Sequence, residues 1–419
     1  MILVGIRREE KNKWEGRVPL TPDDARWVMK TCNVKICIQP SQIRAFKDEE
    51  YQKRGIKVDE DLSECNIILG VKEMPPEFIQ HRKTYLFFSH TIKGQKENLP
   101  TLRKIIEKGS TLIDYEKITT STGERLIGFG KYAGIVGMVE GLWGLGERLR
   151  KEGKKVGFLQ VKRTLQYKRV NKIEDGMKNL KEGEFDSPYI FGILGHGNSS
   201  KGAIEVMKWG GAKEIKAEQI EKIKEPGVYW VNFEGKERYK RKGGGEFDVK
   251  EYREKPYLYE SNMIKYLPYL VGIVNCVYWE EKFPRLITNK MLKHLYPTNK
   301  KFKIIIDISC DVNGGVECLT KTTDPGTPIF TYHPLTGEIE DGIHPYGIQV
   351  VGVDNLPCLL SYEASIEFSK KLLPILHTIL SSNFSPTFDD WDLSPEIKRG
   401  VIVHQGKLTP RYEYLKEVL

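Results

Sequence analysis

Cysteine is sparse and takes no paired pattern. Seven occur in 419 residues, none of them in a C-x-x-C pair. That excludes a disulfide-stapled extracellular scaffold and fits a reducing compartment. Cysteine and histidine nowhere take the spacing of a zinc site; the pair Asp307 and Asp311 reads as a strand end rather than a metal pair. No apolar run reaches the length of a membrane span, so no membrane partner is expected. No leader is visible either. The chain opens directly into a strand at Ile2–Ile6, as a cytoplasmic protein does, or a mitochondrial-matrix protein whose transit peptide has been removed. Internal repeats are missing beyond two α/β halves. Charge of one sign never dominates: a net +9 is scattered among 66 basic and 57 acidic residues. Such a balance attracts anionic small molecules and offers no nucleic-acid face.

What is present is a globular chain of two or three domains, with 39% apolar residues. Its most informative stretch is Tyr189–Ala203, YIFGILGHGNSSKGA. A buried apolar strand runs into glycines 195 and 197, then Asn198, Ser199 and Ser200, then a helix over AIEVMKW. Strand, glycine turn and helix form the frame of a dinucleotide fingerprint. Gly195 allows the turn, Gly197 lets backbone approach a pyrophosphate, and the first helical N–H groups bind the anion. Ser200 replaces the third glycine. A glycine turn joining any strand to any helix has the same pattern, so the surroundings decide.

Over residues 1–130, apolar strands (ILVGI, VKICIQ, IILGV, TYLFFSH, TLIDYE) alternate with helical stretches near Thr21–Thr31, Asp48–Gly55 and Gln95–Lys108. This predicts a parallel α/β sheet. Thr21-Pro22-Asp23-Asp24 is a helix start. Ligands of such sheets bind at the carboxyl ends of strands, where this chain carries Arg7, Arg8, Glu15, Arg17, Lys72, His90, Lys93, Asp114 and Glu116. Taken singly, each is as well explained as a solvated loop charge. Together they describe a polar cleft able to bind carboxylates and move protons.

EGRVPLTP (Glu15–Pro22), ILGVKEMP (Ile68–Pro75), FFSHTIK (Phe87–Lys93), LIDYEK (Leu112–Lys117) and FGKYAGIVGM (Phe129–Met138) carry a family resemblance. It continues through Gly195-His196-Gly197-Asn198, IVNCVYWEEKFPRLIT (Ile273–Thr288), DISCDVNGGVE (Asp307–Glu317) and DNLP (Asp354–Pro357). The chain resembles the saccharopine dehydrogenases, above all the lysine-ketoglutarate reductase half of bifunctional aminoadipic semialdehyde synthase. That family shares its fold with alanine dehydrogenase and transhydrogenase. The resemblance implies two Rossmann-like domains with parallel sheets and an interdomain cleft: residues 1–130 with 357–419 for substrate, and 131–356 for the dinucleotide. It also implies the reaction, a condensation of L-lysine with 2-oxoglutarate and NADPH-dependent reduction to saccharopine in lysine degradation. By the same resemblance Lys72 and His90 are the acid–base pair, and Arg17 takes an oxoacid carboxylate. Glu15 and Glu116 hold the lysine amine and tune the pair; Arg8 and Lys93 are further substrate contacts. Gly195, Gly197, Asn198 and Ser199 cradle phosphates, and Asn275 and Asp311 approach the ribose and nicotinamide. His196 departs from the family's threonine and bears on cofactor affinity. No saccharopine-oxidising half is read after Leu419, as expected either of a monofunctional protein or of an excised domain.

Lys131–Lys151 predicts a long helix whose glycines permit close packing. The second strand series reads VGFLQ, YIFGILG, KEIKA, VYWVNF, YLVGIVNCVYW, KIIIDIS and IQVVGVD. It is interrupted at Gly235–Lys255 by a mixed-charge, triple-glycine stretch expected as an exposed loop. Helices are expected over Tyr362–Leu380 and Arg411–Leu419. An acid ~20 residues past the first glycine marks NAD sites; here that position is Lys216, which favours a 2′-phosphate and hence NADPH. With Lys216 turned to solvent, Glu214 or Glu218 would take the ribose instead. Two rivals stay open: an NAD-dependent, lysine-forming saccharopine dehydrogenase, and a catalytically silent dinucleotide sensor.

Overall fold

The computed structural model describes residues 1–92, 96–384 and 387–419. The chain divides into two compact units, Met1–Phe129 with Ser361–Leu419, and Gly130–Leu360. Among the described residues no helix is long and apolar enough to cross a membrane.

The first unit begins with β1 (Leu3–Ile6), α1 (Pro22–Thr31), β2 (Lys35–Ile38), α2 (Asp48–Gln52) and β3 (Lys57–Val58). There follow β4 (Ile67–Leu69), β5 (Thr84–Phe87), α3 (Leu99–Glu107) and β6 (Thr111–Asp114). Six short strands pair in parallel, mostly buried except the edge strand β3, with β1 central between β2 and β4. Burial on both faces is what apolar runs without alternation require. Thr21 caps α1 as its sequence demands, accepting from Asp24 N at 3.3 Å with Pro22 in the first turn.

The second unit opens with α4 (Gly130–Lys151), α5 (Thr164–Tyr167), α6 (Val170–Lys181), β7 (Pro188–Leu194) and α7 (Asn198–Trp209). Next come β8 (Lys213–Glu214), β9 (Gly227–Phe233), α8 (Gly235–Arg238), β10 (Tyr239–Arg241), α9 (Val249–Glu254) and β11 (Tyr259–Ser261). It closes with β12 (Gly272–Asn275), α10 (Asn289–Leu295), β13 (Ile304–Asp307), β14 (Ile329–Tyr332), β15 (Ile339–Asp341) and β16 (Ile348–Val351). The sheet order is β15-β14-β16-β13-β12-β7-β9-β8, parallel except at β14 and β15. Strands later in the chain flank β7 on both sides, which makes its carboxyl end the topological switch point. The glycines of α4 bring it against α7: a Cβ on Gly134 would lie 1.9 Å from Ser199 O, and one on Gly202 2.0 Å from Lys131 O.

The chain then returns to the first unit through α11 (Ser361–Ser381), α12 (Pro395–Lys398), β17 (Val401–His404) and β18 (Lys407–Leu408). β17 adds antiparallel to β6, completing an eight-stranded sheet. α11 sends Phe368, Leu372, Ile375 and Leu376 into the core holding Val4, Ile6 and Ile38. Its Ser365 and Ser369 hydroxyls accept from Val18 N (3.0 Å) and Thr21 N (3.1 Å), fixing the loop after β1.

Three expectations are corrected. VGFLQ is no strand: Gly157–Gln160 is a 3₁₀ turn that buries Phe158 edge-on against Phe185 and Tyr189. Its apolar residues are satisfied by packing and need no ladder partner. The C-terminal segment Pro410–Glu417 is likewise 3₁₀. The stretch 235–255 is largely exposed as expected but is not a bare loop: its β10 pairs antiparallel with β11 beyond it, around a cluster of Tyr239, Phe247, Tyr252 and Tyr259, and Arg241 bonds Glu251. The triple glycine 243–245 supplies three consecutive positive φ angles.

Candidate active site

In the first unit the polar residues gather at the carboxyl ends of β1, β4, β5 and β6. His90 follows β5 in a left-handed conformation, φ +48°. Its Nδ1 lies 2.5 Å from Glu73 Oε1, with the ring about one-third exposed. Lys11 Nζ stands 3.5 Å from the same oxygen. Burial pushes the Glu73 carboxyl up, but the His90 hydrogen bond and charge, with Lys11 and Lys72, pull it down to about 2. Ionised Glu73 can only accept, so it takes the Nδ1–H and leaves Nε2 as the nitrogen that exchanges protons.

Lys72 precedes Glu73 on the turn after β4. A residue of the β1 loop holds that turn: Glu9, 5% exposed, accepts from Val71 N at 2.6 Å and Lys72 N at 3.0 Å. Burial, then the charge of Glu15, raises the Glu9 carboxyl to about 7. Beneath His90, buried Asp114 accepts from Ser89 N (3.1 Å), Ser89 Oγ (2.5 Å) and Glu116 N (2.7 Å). It thereby locks the ends of β5 and β6 together.

Glu15 and Arg17 face one another. The Arg17 fork donates Nε to Oε1 (2.7 Å) and Nη2 to Oε2 (2.6 Å), both side chains being buried. Its guanidinium lies 4.2 Å from the Phe129 ring centre, and Phe129 stacks on Phe368. Arg8 binds Glu10 (2.9 Å) and Glu60 (2.5 Å) and lines a cavity of about 610 Å³ with Glu9, Glu10, Asn12 and Lys13. The Glu116 carboxylate pairs with Arg125. Lys93 lies outside the described residues.

Glu9 and Glu73 escaped sequence reading. RREEK looks like a solvated charge run, and Glu73 is masked by its neighbour Lys72. Only the contact of the β1 loop with the β4 turn reveals Glu9.

In the second unit Gly195 takes φ +114° and turns the chain from β7 into α7. A Cβ on Gly197 would meet nothing within 4 Å, so the face over the α7 N-terminus is open. The N–H groups of Asn198, Ser199 and Ser200 precede the first intrahelical bond, Lys201 N to Gly197 O. Ser200 is fully buried and donates to Gly197 O at 2.8 Å. It tightens the turn where a third glycine was expected, and Gly202 provides the close approach. His196 leans sideways. With the Asn232 amide oriented by its neighbours, its nitrogen donates to Gly195 O (2.8 Å) and Ile193 O (3.2 Å), and its oxygen accepts from His196 Nδ1 (3.0 Å). These features fit the pyrophosphate of a dinucleotide.

Asn275 ends β12, donating to Asp307 Oδ1 (3.0 Å) and Ser309 Oγ (3.1 Å). Burial raises the Asp307 carboxyl to about 6, and among the described residues its Oδ2 finds no hydrogen-bond partner. Asp311 follows Cys310, itself at φ +57°, and accepts from Gly314 N through its carbonyl.

Lys216 follows the short strand β8, but that strand is not the neighbour of β7. β8 pairs with β9, and β9 lies beside β7. Lys216 therefore sits one strand further out, exposed, its N–H given to Gln219 Oε1 at 2.8 Å.

The N-terminal domain of the alanine dehydrogenase/PNT family matches residues 5–136, and its C-terminal domain residues 260–411. The alpha-aminoadipic semialdehyde synthase of Mus musculus, a mitochondrial protein, is 32% identical over 99% of this chain, and that of Arabidopsis thaliana 33% over 99%. The chain spans about half the length of these relatives, 48% and 41%. The NAD(+), L-lysine-forming saccharopine dehydrogenase of Schizosaccharomyces pombe is 25% identical, over 91% of this chain and 94% of its own. An L-alanine dehydrogenase structure superposes with TM-score 0.64 at 16% identity, covering 100% of this chain and 99% of its own. The transhydrogenase of Sinorhizobium meliloti gives 0.60 at 14%, covering 97% and 100%. The chain belongs to the alanine dehydrogenase/PNT family and is a homologue of the alpha-aminoadipic semialdehyde synthases and saccharopine dehydrogenases.

Proposed function

We propose that the chain interconverts L-lysine plus 2-oxoglutarate with saccharopine. The observation that carries this reading is the pairing of His90 with ionised Glu73 beside the Lys72 turn. A reductive condensation needs groups placed to give and take protons, and His90, its Nδ1 held by Glu73, presents Nε2 for that exchange. His90 Nε2 exchanges protons with the carbinolamine and imine. The Lys72 amine, on a turn held by Glu9, manages the proton that leaves or joins the substrate nitrogen. Arg17 takes an oxoacid carboxylate by exchanging its Glu15 partner for the ligand, a swap between two charge-assisted forks. Glu15, so released, and Glu116 face the lysine ammonium, with Arg8 as an outer contact. A bound nicotinamide supplies or accepts the hydride. Gly195, Gly197, Asn198 and Ser199 would hold its phosphates, with Asn275 and Asp311 toward its ribose and nicotinamide end.

NADPH and a role in lysine degradation are the finer reading, resting on the resemblance to the bifunctional synthases. The second reading is the NAD-linked, lysine-forming enzyme. Strand order favours it, because Lys216 loses the place from which it would select a 2′-phosphate. Seven free cysteines fit a reducing compartment, cytoplasm or mitochondrial matrix.

The test follows NADPH and NADH oxidation with lysine plus 2-oxoglutarate, omitting each component in turn. Oxidation that needs both substrates supports the reading. A reduced cofactor consumed equally without lysine, or never consumed, overturns it, and the latter leaves the sensor.

A further inference from the structure

The acid that reads a dinucleotide's adenosine ribose is positional. It stands at the carboxyl end of the strand beside the glycine-turn strand. Counting ~20 residues along the chain finds it only where that neighbour is the next strand. Here the next strand, β8, is displaced outward, and β9 takes the neighbouring place. The register makes the position definite: Leu194 pairs with Phe233, so β7 and β9 end level, and Gly195 and Glu234 are the residues that follow. By strand spacing Glu234 is about 5 Å from the turn, against about 10 Å for Lys216. A second contact fastens the two ends, for Asn232 donates to Gly195 O and accepts from His196 of the turn.

Glu234 itself is an exposed acceptor of the kind ribose hydroxyls require, and its negative charge repels a phosphate. Its side chain is 65% exposed, its N–H is given to Glu237 Oε2 (2.6 Å), and Lys236 Nζ stands 3.7 Å from its carboxylate. Lys236 also reaches Glu237 at 3.9 Å, and Arg238 donates to Glu234 O (3.3 Å) while lying over the Tyr239 ring. Two carboxylates, Glu234 and Glu237, thus stand beside the two cations Lys236 and Arg238.

We propose that Glu234 accepts hydrogen bonds from the adenosine ribose hydroxyls and selects NAD(H) over NADP(H). The assignment deepens the reading of the chain as a nicotinamide-dependent enzyme and rests on it. Its test does not require turnover. Binding of NADH and of NADPH to the full chain is measured by fluorescence titration or calorimetry, without lysine or 2-oxoglutarate. The wild type should bind NADH at least ten-fold tighter. Glu234→Ser should reduce that ratio to three-fold or less, mostly by tightening NADPH. Glu234→Gln should weaken NADH less than Glu234→Ser does, since its amide still meets a hydroxyl. Lys216→Ala should leave the ratio unchanged. Circular dichroism verifies folding of each variant. NADPH bound as tightly as NADH by the wild type, an unmoved ratio in Glu234→Ser, or no binding of either dinucleotide overturns the proposal. A ten-fold NADH preference with no saccharopine chemistry would sink the reaction and keep Glu234 as the selector.

Discussion

At the residue scale, the proposed chemistry falls on His90, bonded to Glu73, and on Lys72, whose turn Glu9 holds. His90→Gln and Lys72→Met should each lower turnover by roughly 10²–10⁴-fold, the range for general acid–base groups, with urea midpoints unchanged. Near-normal turnover in either variant removes that residue from the chemistry. Glu9 makes a different prediction. Its carboxyl ordinarily titrates near 4.5 and here near 7, so between those values the native state binds more protons than the unfolded chain. Stability therefore falls as pH rises from about 4.5 to 7. Glu9→Gln should flatten that slope, by up to a few kcal/mol. Urea midpoints at pH 5 and pH 8 measure it, and an unchanged slope would refute the buried carboxyl as its source. His90 and Lys72 stand out in the sequence because they follow strands of a parallel sheet, where ligands bind. Glu9 was not, since nothing local distinguishes a carboxylate that bonds Val71 N and Lys72 N, sixty residues away, from one in water.

At the element scale, apolar runs and caps were read well and neighbour relations were not. Thr21–Asp24 and the glycine-rich α4 carry their structure locally. KEIKA and VYWVNF do not: each has strand chemistry, and only the ladder Pro188–Leu194 with Gly227–Phe233 shows which lies beside the turn. VGFLQ failed for the opposite reason, because aromatic packing satisfied it without a partner strand. The triple-glycine stretch hid a hairpin, its tyrosines being too widely spaced to suggest a cluster. The α4–α7 crossing gives the prediction at this scale. Gly202→Val places side-chain carbon where Lys131 O already sits, and the two backbones must part. Overpacking of this kind costs ~1–3 kcal/mol or more. Moving α7 also moves the N–H groups of Asn198, Ser199 and Ser200 proposed to meet a pyrophosphate. The variant should show both a lower urea midpoint and weaker dinucleotide binding, whereas Lys208→Val on the outer turn should show neither. Loss of stability with intact binding would separate the crossing from the site.

At the scale of the whole molecule, the two units differ in how the chain builds them. Gly130–Leu360 is one continuous segment, with a core of Ile190, Leu194, Val231, Phe233, Ile273, Ile305 and Val350 contributed by its own strands. The first unit is discontinuous. Residues 361–419 cover its sheet with α11 and extend it with β17, whose Val401 and Val403 pair with Ile113 and Leu112 of β6. Removing them would expose one apolar face of the parallel sheet and leave Val18 N and Thr21 N without the Ser365 and Ser369 hydroxyls. Parallel sheets are stable only when both faces are covered. We therefore expect residues 130–360, expressed alone, to fold cooperatively and bind dinucleotide. Residues 1–129 alone should not fold, and should regain native circular dichroism when residues 361–419 are joined to them through a flexible linker. The comparison is a set of urea denaturation curves on the three fragments. A cooperative transition in 1–129 alone, or none in 130–360, would show that the contact-defined units are not the folding units.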